Sequence, residues 1–200
     1  MATLVLDALV ENTIIEQRRR CDGDRHDEVW DGIYILLPLA DLEHQRLVGA
    51  FTSALQTVVS EAGLGIVYPG ANVTDREDDW KSNFRCPDVV VVLKESSKRC
   101  QARGAALLGG PDFLIEVQSP GDATLDKLDF YGSIGVRELL VVDRDTKAIE
   151  LFRLQRRALR SVGCSPDSLK SRVIPLQFRR MRMRKIEVTT TRAPQARWVV

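Results

Sequence analysis

The sequence predicts an α/β chain, α+β by stricter accounting, with a mixed central β-sheet flanked by helices. Three observations carry this. Val89–Val90–Val91–Val92–Leu93, Phe113–Leu114–Ile115–Glu116–Val117 and Glu138–Leu139–Leu140–Val141–Val142 are short, nearly continuous apolar runs, the mark of strands buried on both faces. The residues between the second and third runs form a helical segment of crossover length, so those two strands are parallel neighbours with a right-handed connection. A helix and hairpin-type strands come before this crossover, so the sheet is mixed rather than all parallel.

Taken in order, the first thirty residues are polar and irregular and end in the charged patch CDGDRHDE. WDGIYILLP reads as a turn and a short apolar strand stopped by Pro38. Asp41 is placed to cap a helix running to about Ala62. Leu47, Phe51, Ala54, Leu55 and Val58 fall on one face of it, and Gly63 ends it. GIVYPG follows as a strand. Residues 71–86 are polar and charged and read as a surface loop, and 94–110 read as a long exposed connection. Ser119–Pro120–Gly121 breaks the second buried strand, after which Asp122 can cap a helix through about Ile134, closed by Gly135. DRDTK turns the chain into a fourth strand, AIELFRL. The chain then divides into an N-terminal extension at 1–30 and a single domain at 31–200, with a basic C-terminal β segment at about 169–200.

Composition narrows the function classes. No apolar run approaches the roughly 18 residues a membrane span requires. The basic residues near the N-terminus follow the apolar stretch rather than precede it, unlike a secretory signal, so a cytoplasmic protein is expected. Cys21, Cys86, Cys100 and Cys164 stand far apart, and His26 and His44 are the only histidines, which offers neither a zinc spacing nor a disulfide framework. The net charge of +1 hides an asymmetry: residues 1–150 hold 16 Lys+Arg against 26 Asp+Glu, and residues 151–200 hold 13 against 2. A basic tail on an acidic body suits a phosphate-bearing partner, or a tail docked on its own body.

Glu116 is the sharpest chemical clue, a carboxylate inside an apolar strand. Burying such a charge costs several kcal/mol or more unless it meets a partner or a metal. Asp88 opens the preceding strand; if the two strands are neighbours, the acids converge at one sheet edge and attract a divalent cation. The plainer readings are a turn residue for Asp88 and a buried Lys or Arg partner for Glu116. Lys127 shares a helix stripe with Phe130, Tyr131 and Ile134 and can reach back over the strand end, or else it snorkels at the stripe's edge. Glu43 and His44 read as ordinary helix-surface residues. In a strand, Arg180, Arg182 and Arg184 would share one face, as a phosphate grip or as a solvated edge.

The blocks PDVVVV, IEVQSP, LDKLDFY and GVRELLVVD, in this order, resemble the Uma-type restriction endonuclease family of the PD-(D/E)XK nuclease superfamily. The resemblance covers residues 87–152 and extends more loosely over 28–60, through W-D-G, Pro38 and His44. It implies a restriction-endonuclease-like fold and a metal-dependent endonuclease cleaving DNA phosphodiester bonds. Asp88 and Glu116 would hold Mg2+, or Mn2+ in its place, with the Val117 carbonyl as a further ligand. The superfamily's lysine usually stands two residues after the glutamate, where this chain has Gln118; the Uma-type pattern substitutes a helix lysine, matched by Lys127. Gln118, on the Glu116 face of the strand, could then orient the attacking water. The family often carries D-G-E where this chain reads Asp31–Gly32–Ile33, so that early carboxylate is absent. DNA is the partner so implied, with no membrane and with a homodimer left open. The competing expectation is an inactive nuclease-fold module that binds nucleic acid or another protein.

Overall fold

The computed structural model describes residues 3–4, 8–37 and 39–200; the strand stop assigned to Pro38 lies outside them. The chain opens with β1 (Thr3–Leu4) and α1 (Ala8–Arg20). That helix overturns the expectation of an irregular N-terminus. Arg18, Arg19 and Arg20 in its last turn suit the negative end of the helix dipole. β2 (Glu28–Trp30) and β3 (Ile33–Leu36) form a hairpin across Asp31–Gly32. In α2 (Leu42–Leu55), Asp41 Oδ1 accepts from the His44 N–H at 2.8 Å, the expected cap. A π-helical turn, Gln56–Glu61, carries the helix on towards Gly63.

After β4 (Gly65–Pro69), the two segments read as exposed connections turn out to hold short strands. The first contains β5 (Asn72–Thr74) and β6 (Phe84–Arg85). Beyond β7 (Val89–Leu93), the second contains β8 (Gln101–Arg103) and β9 (Ala106–Leu108). Their Val73, Arg85, Ala106 and Leu107 are buried. Strands of two or three residues carry too little alternation to stand out from loop.

β10 (Phe113–Gln118) and β11 (Glu138–Asp143) pair in parallel from Phe113↔Glu138 to Gln118↔Asp143, as the crossover requires. The connecting helix starts differently from expectation. Thr124–Lys127 is a 3-10 turn with Ala123 in the cap position and no side-chain cap, and α-helix follows only in α3 (Leu128–Ile134). Asp122 instead lines a cavity described below. Gly135 closes α3 in the left-handed conformation (φ +87°), which favours glycine. The chain ends with β12 (Ile149–Gln155), β13 (Ala158–Cys164), β14 (Ser168–Lys170), β15 (Leu176–Met181), β16 (Lys185–Thr190) and β17 (Arg197–Val199).

Among the described residues these strands make three sheets. The central one runs β13-β12-β11-β10-β7-β4; a second runs β1-β3-β2-β6-β5-β9-β8, and a C-terminal one β14-β15-β16-β17. The result is mixed α+β, as expected. Alternation along the central strands assigns their side chains to two cores. Val89, Val91, Phe113, Ile115, Val117, Leu140 and Val142 meet α2 and the C-terminal sheet, where Phe178 stacks on Phe113 at 5.9 Å. Val90, Leu114, Leu139 and Val141 meet Tyr131 of α3 together with Val73 and Leu107. No helix among the described residues is long and apolar enough to cross a membrane.

The strand expected for Arg180–Arg184 ends at Met181. Arg182, Met183 and Arg184 form the tip of the β15–β16 hairpin, with Met183 (φ 59°) and Arg184 (φ 51°) left-handed, so the three arginines do not line one strand face.

Candidate active site

β7 and β10 are antiparallel neighbours, with Ile115 opposite Val89. Continuing that register by one residue sets Asp88 opposite Glu116. β7 begins only at Val89, and the Asp88 side chain extends the ladder: its Oδ2 accepts the Val117 N–H at 2.7 Å. Its Oδ1 meets His44 Nε2 at 2.8 Å, which ties α2 to the strand end. Burial opposes the charged imidazole, but the hydrogen bond and charge of Asp88 outweigh it and hold the His44 pKa above its ordinary value.

Glu116 lies on the opposite face of β10 from Val117 and is almost fully buried. It accepts a 2.5 Å hydrogen bond from the Tyr131 hydroxyl and contacts Lys127 Nζ at 3.2 Å. Lys127 is therefore the buried partner that Glu116 requires, and the snorkelling alternative is excluded: its side chain is 3% exposed. The same ammonium lies 2.8 Å from Oε1 of Glu28, on β2, a fully buried residue. Glu28 also accepts from the Cys86 N–H at 2.9 Å and the Trp30 indole N–H at 2.7 Å. Two buried carboxylates thus share one ammonium.

The electrostatics follow from this count. Burial pushes Glu116 above the ordinary carboxylate range; Lys127 opposes the shift, and the charges of Asp88 and Glu28 reinforce it. Burial also disfavours the Lys127 ammonium, but Glu116 and Glu28 outweigh it and keep the group protonated. Tyr131 stays a phenol, held up first by burial and then by the charge of Glu116. Glu116 is thus the carboxyl of the cluster that burial makes easiest to protonate, and Lys127 is its fixed cation.

Asp88, Glu116, Lys127, His44 and Asp122 line one cavity of about 660 Å3. Among the described residues no three His, Cys, Asp or Glu side chains converge as a metal cage. A hard divalent ion such as Mg2+ does not need one: it commonly takes one or two carboxylates, with waters and substrate phosphates completing its shell. The two acids at the cavity supply the carboxylate oxygens that such an ion takes.

The other expected residues contribute differently. Val117 and Gln118 are not among the residues lining the cavity; Val117 serves the Asp88 carboxylate through its N–H, and the Gln118 carbonyl accepts from the Arg144 N–H at 3.0 Å. Arg180, Arg182 and Arg184 stay outside too. Arg180 nevertheless bonds the Thr146 carbonyl at 3.0 Å, anchoring the hairpin to the turn that carries Arg144, a cavity residue. Sequence reasoning missed Glu28 and Tyr131, and it misread His44 as helix surface. Glu28, three residues before Asp31, brings a carboxylate to Lys127 from β2. Tyr131 had a legible signal, lying four residues after Lys127 on the same stripe.

Comparisons with known proteins give the family and the fold. No curated protein matches the chain. A crystal structure of a putative nuclease belonging to DUF820 from Anabaena variabilis superposes with a TM-score of 0.57 at 18% identity, covering 72% of this chain and 80% of that one. At that identity the match establishes the fold. The profile of the Uma2 family, described as "Putative restriction endonuclease", matches residues 16–184, a span that takes in Glu28, His44, Asp88, Glu116 and Lys127, and the chain belongs to that family.

Proposed function

We propose that the chain is a divalent-metal-dependent endonuclease that hydrolyses DNA phosphodiester bonds, with Mg2+ as cofactor and Mn2+ as its substitute. One observation carries the reading: Asp88 and Glu116 oppose each other across two strands, on one cavity, with the Lys127 ammonium held against Glu116. Asp88 and Glu116 would hold the ion, which supplies a Lewis acid for the phosphoryl oxygen and a water of lowered pKa. The protein's own groups do the rest. Val117 N–H and His44 fix the plane of the Asp88 carboxylate. Tyr131 fixes that of Glu116. Lys127 remains protonated, so its part is that of a fixed cation opposing charge that builds on the phosphate, a role worth about 2.7–4 kcal/mol where one such donor has been removed. Arg180, Arg182 and Arg184, on the hairpin that Arg180 ties to the Thr146 turn, would grip backbone phosphates without reading sequence.

A second reading has a specific observation in its favour. Protein donors already satisfy both carboxylates: Lys127 and Tyr131 at Glu116, and His44 and Val117 at Asp88. A catalytically inactive module that binds nucleic acid or protein would need nothing more. Incubating supercoiled plasmid with the protein in Mg2+, in Mn2+ and in EDTA separates the two. The endonuclease reading expects nicked and linear DNA with either metal, none in EDTA, and none from Asp88→Asn or Glu116→Gln. DNA retained but uncut in every condition would select the inactive module. Full cleavage by Glu116→Gln would end the proposal.

A further inference from the structure

At the other end of the central sheet, where β7 finishes at Leu93 and β11 begins at Glu138, lies a second and larger cavity of about 1030 Å3. Lys94, Lys170, Arg172 and Arg192 line it, with Arg137 and Arg153. The nearby carboxylates are already engaged. Asp112 receives Arg99 at 2.8 Å and Arg137 at 3.0 Å. Glu138 receives Arg153 at 2.7 Å and the Ser171 hydroxyl at 2.5 Å. Glu95 lies 3.4 Å from Arg137. Lys94, Lys170, Arg172 and Arg192 meet no carboxylate within ion-pair distance among the described residues. Elsewhere in the basic tail some arginines are paired. On the C-terminal sheet, Arg179 and Arg197 close on Glu187 at 2.7 and 2.6 Å.

We infer that this cavity binds a phosphorylated ligand of the nucleotide class. Arginine matches phosphate geometry with a two-pronged fork, and lysine adds compact charge, so four unpaired cations around a concavity form a phosphate-binding set. Leu64, Leu93 and Leu169 supply an apolar wall beside them, suited to the face of a base. The volume stands near the upper end of the roughly 300–1000 Å3 usual for small-ligand sites. A free nucleotide and the phosphorylated end of a DNA strand present the same chemistry. The inference does not depend on the endonuclease reading, because no residue of the first cavity takes part.

Isothermal titration calorimetry of the full chain provides the test. The probes are deoxyadenosine monophosphate, deoxyadenosine and a short 5′-phosphorylated oligonucleotide. Binding of the monophosphate but not the nucleoside is expected, weakening with salt and falling at least about tenfold in Arg172→Gln/Arg192→Gln. Binding of the monophosphate assigns the site to free nucleotides, and binding of the oligonucleotide alone assigns it to strand ends; either supports the inference provided the double variant loses it. Three results would overturn it: no binding of either phosphorylated probe, binding unchanged in the double variant, or equal affinity for the nucleoside.

Discussion

Replacing Glu28 with glutamine tests the part of the candidate site that the sequence conceals. Glu28 accepts from three donors: Lys127 Nζ at 2.8 Å and the Cys86 N–H at 2.9 Å on one oxygen, and the Trp30 indole at 2.7 Å on the other. A glutamine keeps the shape but turns one oxygen into a donor, so at least one buried N–H loses its acceptor, at about 1–3 kcal/mol. Lys127 keeps Glu116 at 3.2 Å, so no charge is stranded and the total should stay below the roughly 3–5 kcal/mol of breaking a buried ion pair outright. We expect a loss of about 2–3 kcal/mol, seen in urea denaturation followed by tryptophan fluorescence, and a midpoint temperature lower by roughly 5–10 °C. Mn2+ binding followed by electron paramagnetic resonance should weaken as well, because Lys127, relieved of Glu28, settles wholly on Glu116. A variant within about 0.5 kcal/mol of the parent, with unchanged Mn2+ affinity, would refute the shared-ammonium argument.

Lys127→Ala leaves Glu28 and Glu116 buried without their cation, so it should lose about 3–5 kcal/mol in the same denaturation assay as well as cleavage. Moving the lysine to the position usual in the superfamily, in the double variant Gln118→Lys/Lys127→Met, should not restore plasmid cleavage, because Gln118 does not line the cavity. Alanine at Arg180, Arg182 and Arg184 together should weaken DNA binding without changing sequence preference, and reduce the slope of log affinity against log salt by about 0.9 for each phosphate no longer gripped. Arg46 first, and then Lys147, lower the Glu43 pKa to about 2, so the stability this ion pair contributes is present above the unfolded value of 4.5 and lost as the pH falls towards 2. Glu43 is 40% exposed, so the effect should stay under about 1 kcal/mol, and Glu43→Gln should flatten the acid limb of a urea-midpoint titration by that much.

What could be read from the residues alone follows from where burial leaves a periodic trace. The three central strands are apolar on both faces, so Glu116 and the crossover beside it stand out, and Lys127 is marked by the aromatic stripe it shares. Glu28 leaves no such trace. β2 has three residues, and the burial of Glu28 is created by β6, which joins β2 through Val29↔Phe84, over fifty residues along the chain. His44 is hidden for a related reason: it stands on the first turn of α2, where an exposed polar residue is ordinary, and only the end of β7 makes it a partner of Asp88. The alternation of Arg180–Arg184 suggests a strand because period-two patterning carries no information about φ, and left-handed Met183 and Arg184 turn the chain there instead.

The departure at Gln118 then has a physical explanation. On the proposed endonuclease reading, the chemistry calls for an ammonium near Glu116, not for a lysine at one place in the chain. A lysine on β10 would be held by the same strand as the carboxylate. A lysine entering from the crossover turn is free of that strand, and a long flexible side chain pays entropy to stay in one place. Glu28 offsets this by holding the ammonium from a second element, while Arg85, stacked between Trp30 at 4.6 Å and Phe130 at 4.2 Å, links β2 to α3. Lysine on the helix and glutamate on β2 are thus one device: moving the cation off the strand makes a second, distant carboxylate necessary.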